Sequence, residues 1–498
     1  MRLNYLNSFG NHNINAFVAY EQSESLTQYI NGVRRNLFSS ALPELFAGEE
    51  EGRQVDGSSE EAGRVNYFGS ISYNYDRKYL IDLTLRRDGS FNFPENKRFG
   101  NFPGISIAWV PTNESFIPRM NWLNSLKIRT SWAIMGNDRI SSFQYLAKYT
   151  LGSNSWSVFG NPATYNRGLD ESTFPNKNIT WEIADFKNIG FDATLLSNHL
   201  NLSFDYFYGK RSKILIQRSA STPGYTAMTL PAENLGKVNN QGVEVTLNYR
   251  DEHGDFSYQL GGNFTFNRNK IVYMDEAASV PEWRKQEGYP MNSFVVYESL
   301  GIYQTQEEVD KSPHIPGAKP GDLIYKDVND DGKITSDDQV RKYISSIPEI
   351  TYGISANLAW KGFELELFFQ GQARAGMLNN YTDTGNRFKY LFEQRWTQDN
   401  PSTKYPRMFR QSDAYNYAST YHLENASFIR LKNTELAYNL NYLKGIPNLF
   451  KDVRLFVRGS NLFTLSPIKY FDPETTSSDM KYFPQIMTIT GGITIALQ

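Results

Sequence analysis

From Phe256 to Asn267 every second position is apolar, aromatic or glycine (Phe256, Tyr258, Leu260, Gly262, Phe264, Phe266), and the positions between are small or polar (Ser257, Gln259, Gly261, Asn263, Thr265, Asn267). Successive side chains of a strand point to opposite faces, so the stretch describes a strand with one greasy, aromatic face and one wet face. The same rhythm places Leu200, Leu202, Phe204, Tyr206 and Tyr208 opposite Asn201, Ser203 and Asp205. It sets Val243, Val245, Leu247 and Tyr249 against Glu244, Thr246 and Asn248. Ile354, Ala356, Leu358 and Trp360 lead through Lys361-Gly362 into Phe363, Leu365, Leu367 and Phe369, which alternate with Glu364, Glu366, Phe368 and Gln370. Short polar turns between such runs predict antiparallel hairpins.

Further strands are expected at 14–20, 65–75, 79–86, 105–110, 126–132, 181–193, 428–436, 453–457 and 489–497, about fifteen in all. Long polar stretches separate some of them, at 22–63, 137–178, 274–290, 305–346 and 377–422. Short turns at one rim and long loops at the other are the spacing of a transmembrane antiparallel β-barrel, and two glutamates on the wet face of one strand suit a watery lumen. No stretch reads as a long amphipathic helix.

Composition sharpens this picture. The chain has 498 residues and a mean hydropathy of -0.53, with no run approaching the roughly 20 apolar residues of a membrane helix, so a helical membrane protein is excluded. Its 32 Tyr and 33 Phe suit interfacial aromatic girdles. A net charge of -2 lacks the basic footprint of a nucleic-acid binder. The absence of cysteine removes disulfides, thiolate catalysis and cysteine metal sites. The opening Met1-Arg2-Leu3-Asn4-Tyr5-Leu6-Asn7 has no apolar signal-peptide core. A soluble all-β array is the competing fold, but a propeller would show a blade period of about 40 to 50 residues, and none is found.

Several phrases are more specific than periodicity. Asn66-Tyr67-Phe68-Gly69, Tyr73-Asn74-Tyr75-Asp76-Arg77-Lys78-Tyr79-Leu80, Arg86-Arg87-Asp88-Gly89-Ser90 and Arg98-Phe99-Gly100-Asn101-Phe102-Pro103 come first, followed by Trp109, Leu126-Lys127-Ile128-Arg129, Gly136-Asn137 and Trp181-Glu182. Then come Asn234-Leu235-Gly236-Lys237-Val238, Gly242-Val243-Glu244, Arg395-Trp396, Asn400-Pro401, Ser427-Phe428-Ile429-Arg430-Leu431-Lys432-Asn433, Asn461-Leu462-Phe463 and Asp472-Pro473-Glu474. In this order, from about residue 10 to the end, the chain resembles the later barrel of SusC/RagA-type TonB-dependent outer-membrane transporters.

The resemblance implies a 22-stranded barrel of the outer membrane, normally with an N-terminal plug inside it. It also implies contact with TonB, an extracellular SusD-like lipoprotein lid, and import of oligosaccharides or peptides. About fifteen strands with no plug pattern or TonB box imply a C-terminal portion, 1–498 being barrel throughout, because an open sheet edge cannot lie in hydrocarbon. The ending Ile493-Thr494-Ile495-Ala496-Leu497-Gln498 also departs from the aromatic residue usual in the family.

One extracellular loop, within 305–346, carries candidate chemistry. Counted from Asp327, it sets oxygen-bearing Asp327, Asn329, Asp331, Thr335 and Asp338 at positions 1, 3, 5, 9 and 12, with Gly332 at 6 and the Lys333 carbonyl at 7. This is the pattern of an EF-hand-like Ca²⁺ loop, although the last ligand is Asp, not Glu, and a flanking helix pair is missing. A metal-free Asx-turn loop is the alternative. His12, His199, His253, His314 and His422 show no metal-ligand spacing. Glu364 and Glu366 could mimic a glycosidase pair but read more simply as solvated lumen charges. Trp156, Tyr165, Trp283, Tyr381, Tyr390, Trp396, Tyr415 and Tyr417 fall in loops, where they could stack on sugars, pack on a lipoprotein or anchor loops to one another. The expectation is therefore a non-enzymatic barrel of an importer, with a plug-less passive pore or inactive remnant as one alternative. A soluble calcium-dependent carbohydrate-binding β-protein is the alternative from another class.

Overall fold

The computed structural model describes residues 1–160, 164–218, 230–379, 389–408, 417–442, 450–469, 471–475, 483 and 485–497. In the first part of the chain the strands are β1 (Arg2–Phe9), β2 (His12–Val33), β3 (Gln54–Tyr75), β4 (Tyr79–Ser90), β5 (Phe99–Trp109), β6 (Leu123–Asn137), β7 (Lys148–Phe159) and β8 (Thr164–Thr173). The central part holds β9 (Glu182–Leu195), β10 (Leu200–Ile216), β11 (Glu233–His253), β12 (Phe256–Tyr273), β13 (Ser293–Tyr297), β14 (Ser299–Ile302), β15 (Leu323–Tyr325) and β16 (Gln339–Ser345). The last part holds β17 (Ile350–Trp360), β18 (Phe363–Ala373), β19 (Gly376–Leu378), β20 (Leu423–Asn425), β21 (Phe428–Asn439), β22 (Phe450–Leu465) and β23 (Thr488–Leu497). Helices α1 (Gln306–Lys311) and α2 (Lys389–Gln394) are single short turns. Among the described residues no helix is long and apolar enough to cross a membrane.

Fifteen strands form one antiparallel sheet in the order β1-β2-β3-β4-β5-β6-β9-β10-β11-β12-β17-β18-β21-β22-β23. The remaining strands make four separate two-stranded ribbons in the long loops. Hairpins close tightly at one rim. Trp360 faces Phe363 across Lys361-Gly362, both with positive φ (45° and 86°), the backbone of a type I′ turn whose twist matches that of paired strands. His253 faces Phe256 across Gly254-Asp255, and Phe9 faces His12 across Gly10-Asn11.

The alternation sorts cleanly in the sheet. Ile71, Leu83, Leu85, Ile107, Ile128, Ile189, Leu247, Phe264 and Ile354 share one exposed apolar face. Lys127, Arg129, Asp192, Ser203, Asp205 and Glu244 share the other. Buried cores lie instead among the loops. Phe93, Phe102, Ile179 and Trp181 form one, Ala375, Met377, Ala426, Ile468 and Phe471 a second. Tyr297, Ile302, Ile315, Leu323, Tyr325 and Ile334 form a third.

Three expectations about loops change. Residues 22–63 are largely strand, since β2 runs on to Val33 and β3 begins at Gln54, with Gln22↔Val65 through Val33↔Gln54 in continuous register. Both faces of this outer ribbon are exposed, so no apolar alternation marks it. Likewise 137–178 contains β7 and β8, and 305–346 contains α1, β15 and β16.

Candidate functional site

The wet face carries ion-pair ladders whose spacing follows from register. Arg129 of β6 reaches Asp192 of β9 (Nε to Oδ2, 3.1 Å) and, past it, both carboxylate oxygens of Asp205 on β10. Ser203 Oγ donates to Asp192 Oδ1 at 2.7 Å. Gly190, opposite both Arg129 and Asp205, makes the reach possible: a Cβ there would lie 2.6 Å from Asp205 Oδ1 and 2.4 Å from the Phe204 carbonyl. A second ladder crosses β18, β21 and β22. Arg454 binds Glu364 (2.7 Å) and Glu435 (2.6 Å), and Arg458 also binds Glu435. Glu364 is thus an ion-pair partner, while Glu366 is exposed on the same face. The two carboxylates stand at i and i+2 on one face of a single strand, one of them committed to Arg454, and line an open hollow shared with His199, Asp251 and Asn357.

Above the ladders, Arg430 is 2% exposed and is held from three sides. Nη2 donates to both Asp472 oxygens at 2.9 Å, Nη1 to Glu474, and Nε to Thr464 Oγ1 at 2.8 Å. The Ser427–Asn433 and Asp472-Pro473-Glu474 phrases are therefore two halves of one buried clamp.

The long loops build a platform over this rim. Thr305 caps α1 in a reciprocal capping box with Glu308. Trp396 and Tyr421 pack on the Tyr297–Tyr325 core, and Trp396 Nε1 donates to Gln304 Oε1 at 3.0 Å. Lys342 and Lys326 beside Glu298 hold its carboxyl below the usual range. Trp283 donates to the Asp337 carbonyl at 2.7 Å, Tyr390 sits edge-on to Tyr405, and Tyr417 contacts Tyr297 and Tyr325. Trp283, Trp396 and Tyr417 thus anchor loops to one another, while Tyr390 packs within its own loop. Tyr381 and Tyr415 lie outside the described residues, as do the side chains of Trp156 and Tyr165.

The acidic loop is folded around its own N–H groups. Asp327 accepts from Asp331 N (3.3 Å) and Gly332 N (2.8 Å), Asn329 Oδ1 from Asp331 N (3.2 Å), and Asp331 Oδ1 from Lys333 N (2.9 Å). Asp338, fully buried, accepts from Val328 N (2.8 Å) and Thr335 N (2.7 Å). Among the described residues no three His, Asp or Glu side chains converge in a metal-holding group.

The histidines scatter. His12 Nδ1 meets the Tyr73 hydroxyl at 2.8 Å, and His314 meets the Ser312 carbonyl. His422 is buried against Ser419 Oγ (3.0 Å), and burial pushes its pKa down to about 4. His199 and His253, far apart in sequence, both come within 3.2 Å of Asp251. Their separate turns hid this juxtaposition, which the β10–β11 register creates.

Comparison with known proteins follows the same outline. The profile of the TonB dependent receptor-like β-barrel matches residues 2–462. TonB-dependent receptor P3 of Formosa agariphila is 30% identical over 99% of this chain and 51% of its own length. TonB-dependent receptor SusC of Bacteroides thetaiotaomicron is 28% identical over 86% of this chain and 43% of its own. The solved RagAB peptide transporter aligns with a TM-score of 0.81 at 25% identity, over 99% of this chain and 54% of that one. The chain spans about half the length of the curated relatives it matches.

Proposed function

Because this chain belongs to the TonB-dependent receptor β-barrel family, non-enzymatic transporters of the outer membrane with SusC/RagA-like members, we propose that it forms the passage wall of an importer energised through TonB. The observation that carries the reading is the two-faced sheet. Its apolar columns suit lipid, and the Arg129 and Arg454 ladders suit a water-filled interior. The soluble calcium-dependent carbohydrate-binding alternative is set aside by the family match.

The proposed partner is a SusD-like surface lipoprotein seated on the loop platform, and the proposed cargo is a peptide or oligosaccharide. The platform supports this because its packed cores and the buried Asp322–Arg407 pair make a firm surface. Binding and gated passage are the mechanism, with no covalent step. For the acidic loop the reading we favour is the metal-free turn, because its oxygens already accept backbone N–H groups, and only the spacing of Asp327, Asn329, Asp331, Lys333, Thr335 and Asp338 speaks for Ca²⁺.

Uptake of labelled peptides and oligosaccharides by the native cells, which carry the whole protein, tests the reading. Uptake of one class, lost when TonB or the protein is deleted, is expected. Equal uptake in the deletion strains would overturn it.

A further inference from the structure

On β9, β10 and β12 the apolar outward column of the strand gives way to a cation on the side away from the short turns. Lys187 follows Ile189, Lys210 follows Tyr208, and Arg268 follows Phe266, with Lys270 one step beyond. On β11 between them, Lys237 ends the same outward column. Register sets these groups side by side. Lys187, Tyr208, Gln241 and Arg268 form one cross-strand row, and Asp185, Lys210, Asn239 and Lys270 the next. At the usual strand spacing Lys187 and Arg268 stand on the order of 14 Å apart.

Lys187, Lys210, Lys237 and Lys270 are exposed, and among the described residues none has a carboxylate within ion-pair distance. Lys210 and Lys237 lie over the rings of Tyr208 and Tyr273. The outward carboxylates nearby are engaged elsewhere. Asp185 accepts from Trp132 Nε1 at 3.0 Å, and Glu349 is shared by Arg268 and Arg374. At the opposite rim the outward columns end in aromatics such as Tyr79, Trp109, Tyr249 and Phe256. There Lys78 is paired with Asp76 (2.8 Å) and Lys361 lies 3.6 Å from Asp255.

Lysines snorkel to either interface of any bilayer, so snorkelling alone would populate both rims alike. Over β9–β12 the lysines without an ion pair gather at the long-loop rim, which in outer-membrane barrels is the extracellular side. We propose that the Lys187, Lys210, Lys237 and Lys270 face of β9–β12 docks the phosphate-bearing, multiply acylated glycolipid of the outer leaflet. Its phosphates sit among the lysines, and its acyl chains lie along Ile189, Phe204 and Phe264. The site belongs to the lipid-facing surface and stands whatever the barrel transports.

The test uses the whole protein purified from outer membranes, with lipid A as probe and binding measured at 150 mM salt by fluorescence displacement and by mass spectrometry of retained lipid. Each lysine near an anionic headgroup contributes roughly fivefold in affinity, so Lys187→Gln/Lys210→Gln/Lys270→Gln should weaken binding on the order of a hundredfold. The corresponding triple Lys→Arg variant should stay within about threefold. Heat-modifiable gel migration identifies folded variants, and the single Lys210→Glu change supplies the same direction of effect should the triple variant not fold. Unchanged lipid A binding in the Gln or Glu variant, or displacement of lipid A by an equal concentration of phosphatidylglycerol, would overturn the proposal.

Discussion

Arg407 holds Asp322 with a two-pronged grip, Nε to Oδ1 at 2.6 Å and Nη2 to Oδ2 at 3.1 Å. Asp322 is 2% exposed, and the pair locks the Tyr303–Tyr325 stretch to the segment that carries Trp396. Gly321 beside it has φ +90°, and a Cβ there would lie 2.4 Å from the Trp396 ring. The contact is thus close-packed as well as charged. Removing one partner of a buried pair strands the other charge and costs about 3–5 kcal/mol. Arg407→Ala is expected to raise hydrogen exchange and proteolysis across 303–325 while heat-modifiable migration of the barrel is unchanged. Exchange equal to the parent protein would refute the locking role.

Gly190 predicts a lesion of the wall itself. Any side chain there meets the Phe204 carbonyl and the Asp205 carboxylate at well under contact distance. Gly190→Ala should push Arg129 off Asp205, at a cost of about 1–3 kcal/mol from overpacking, and Gly190→Val should cost more. A lower unfolding temperature of the inserted protein, larger for Val than for Ala, is the expected measurement.

Arg430 tests whether shape or charge matters in the clamp. Its fork serves Asp472, Glu474 and Thr464 together, and a lysine keeps the charge without that planar geometry. Arg430→Ala should destabilise by about 3–5 kcal/mol, and Arg430→Lys should recover less than half of that loss. Full recovery by Lys would reduce the clamp to simple charge neutralisation. The readout is the midpoint of denaturant unfolding.

The wall was legible because its two faces differ in chemistry. Phe264 and Thr265 alternate as they do because one meets lipid and the other water, so the period is written in residue type. The outer half of β2 was not legible: Ser23, Glu24 and Ser25 are exposed on both faces, and nothing in their polarity marks a strand. Ladder geometry was hidden for a different reason. Arg129 meets Asp205 only because Gly190 leaves room between them, and a missing side chain carries no periodic signal. The Arg430 and Asp472 phrases pointed to the family, yet their pairing across 42 residues depends on a loop return that local sequence does not encode.

Calcium at Asp327–Asp338 faces a competing set of hydrogen bonds. An entering ion must share Asp327, Asn329, Asp331 and Asp338 oxygens that already accept backbone N–H groups, and the three Asp carboxylates do not converge. The hydrogen bonding favours the metal-free turn, so calcium should shift the unfolding temperature by less than ~1 °C. A rise of several degrees, abolished in Asp327→Ala/Asp331→Ala, would instead establish the ion.

His422 makes the loop platform sensitive to acid. It is 3% exposed, its Nδ1 lies 3.0 Å from Ser419 Oγ, and the Tyr421 ring stands edge-on to it. Burial disfavours the imidazolium and lowers the pKa from 6.5 to about 4. The unfolded loop therefore binds a proton at a higher pH than the folded one. The stability held by neutral His422 is complete above about pH 6.5 and is lost progressively as the pH falls towards 4, with a total near 3 kcal/mol. Hydrogen exchange of residues 417–425, taken relative to the intrinsic amide rate at each pH, should accelerate over that window in the parent protein. In His422→Leu, which cannot take up the proton, the acceleration should vanish even if the loop is uniformly less stable. A pH dependence that persists unchanged in the leucine variant would assign the acid response to another group.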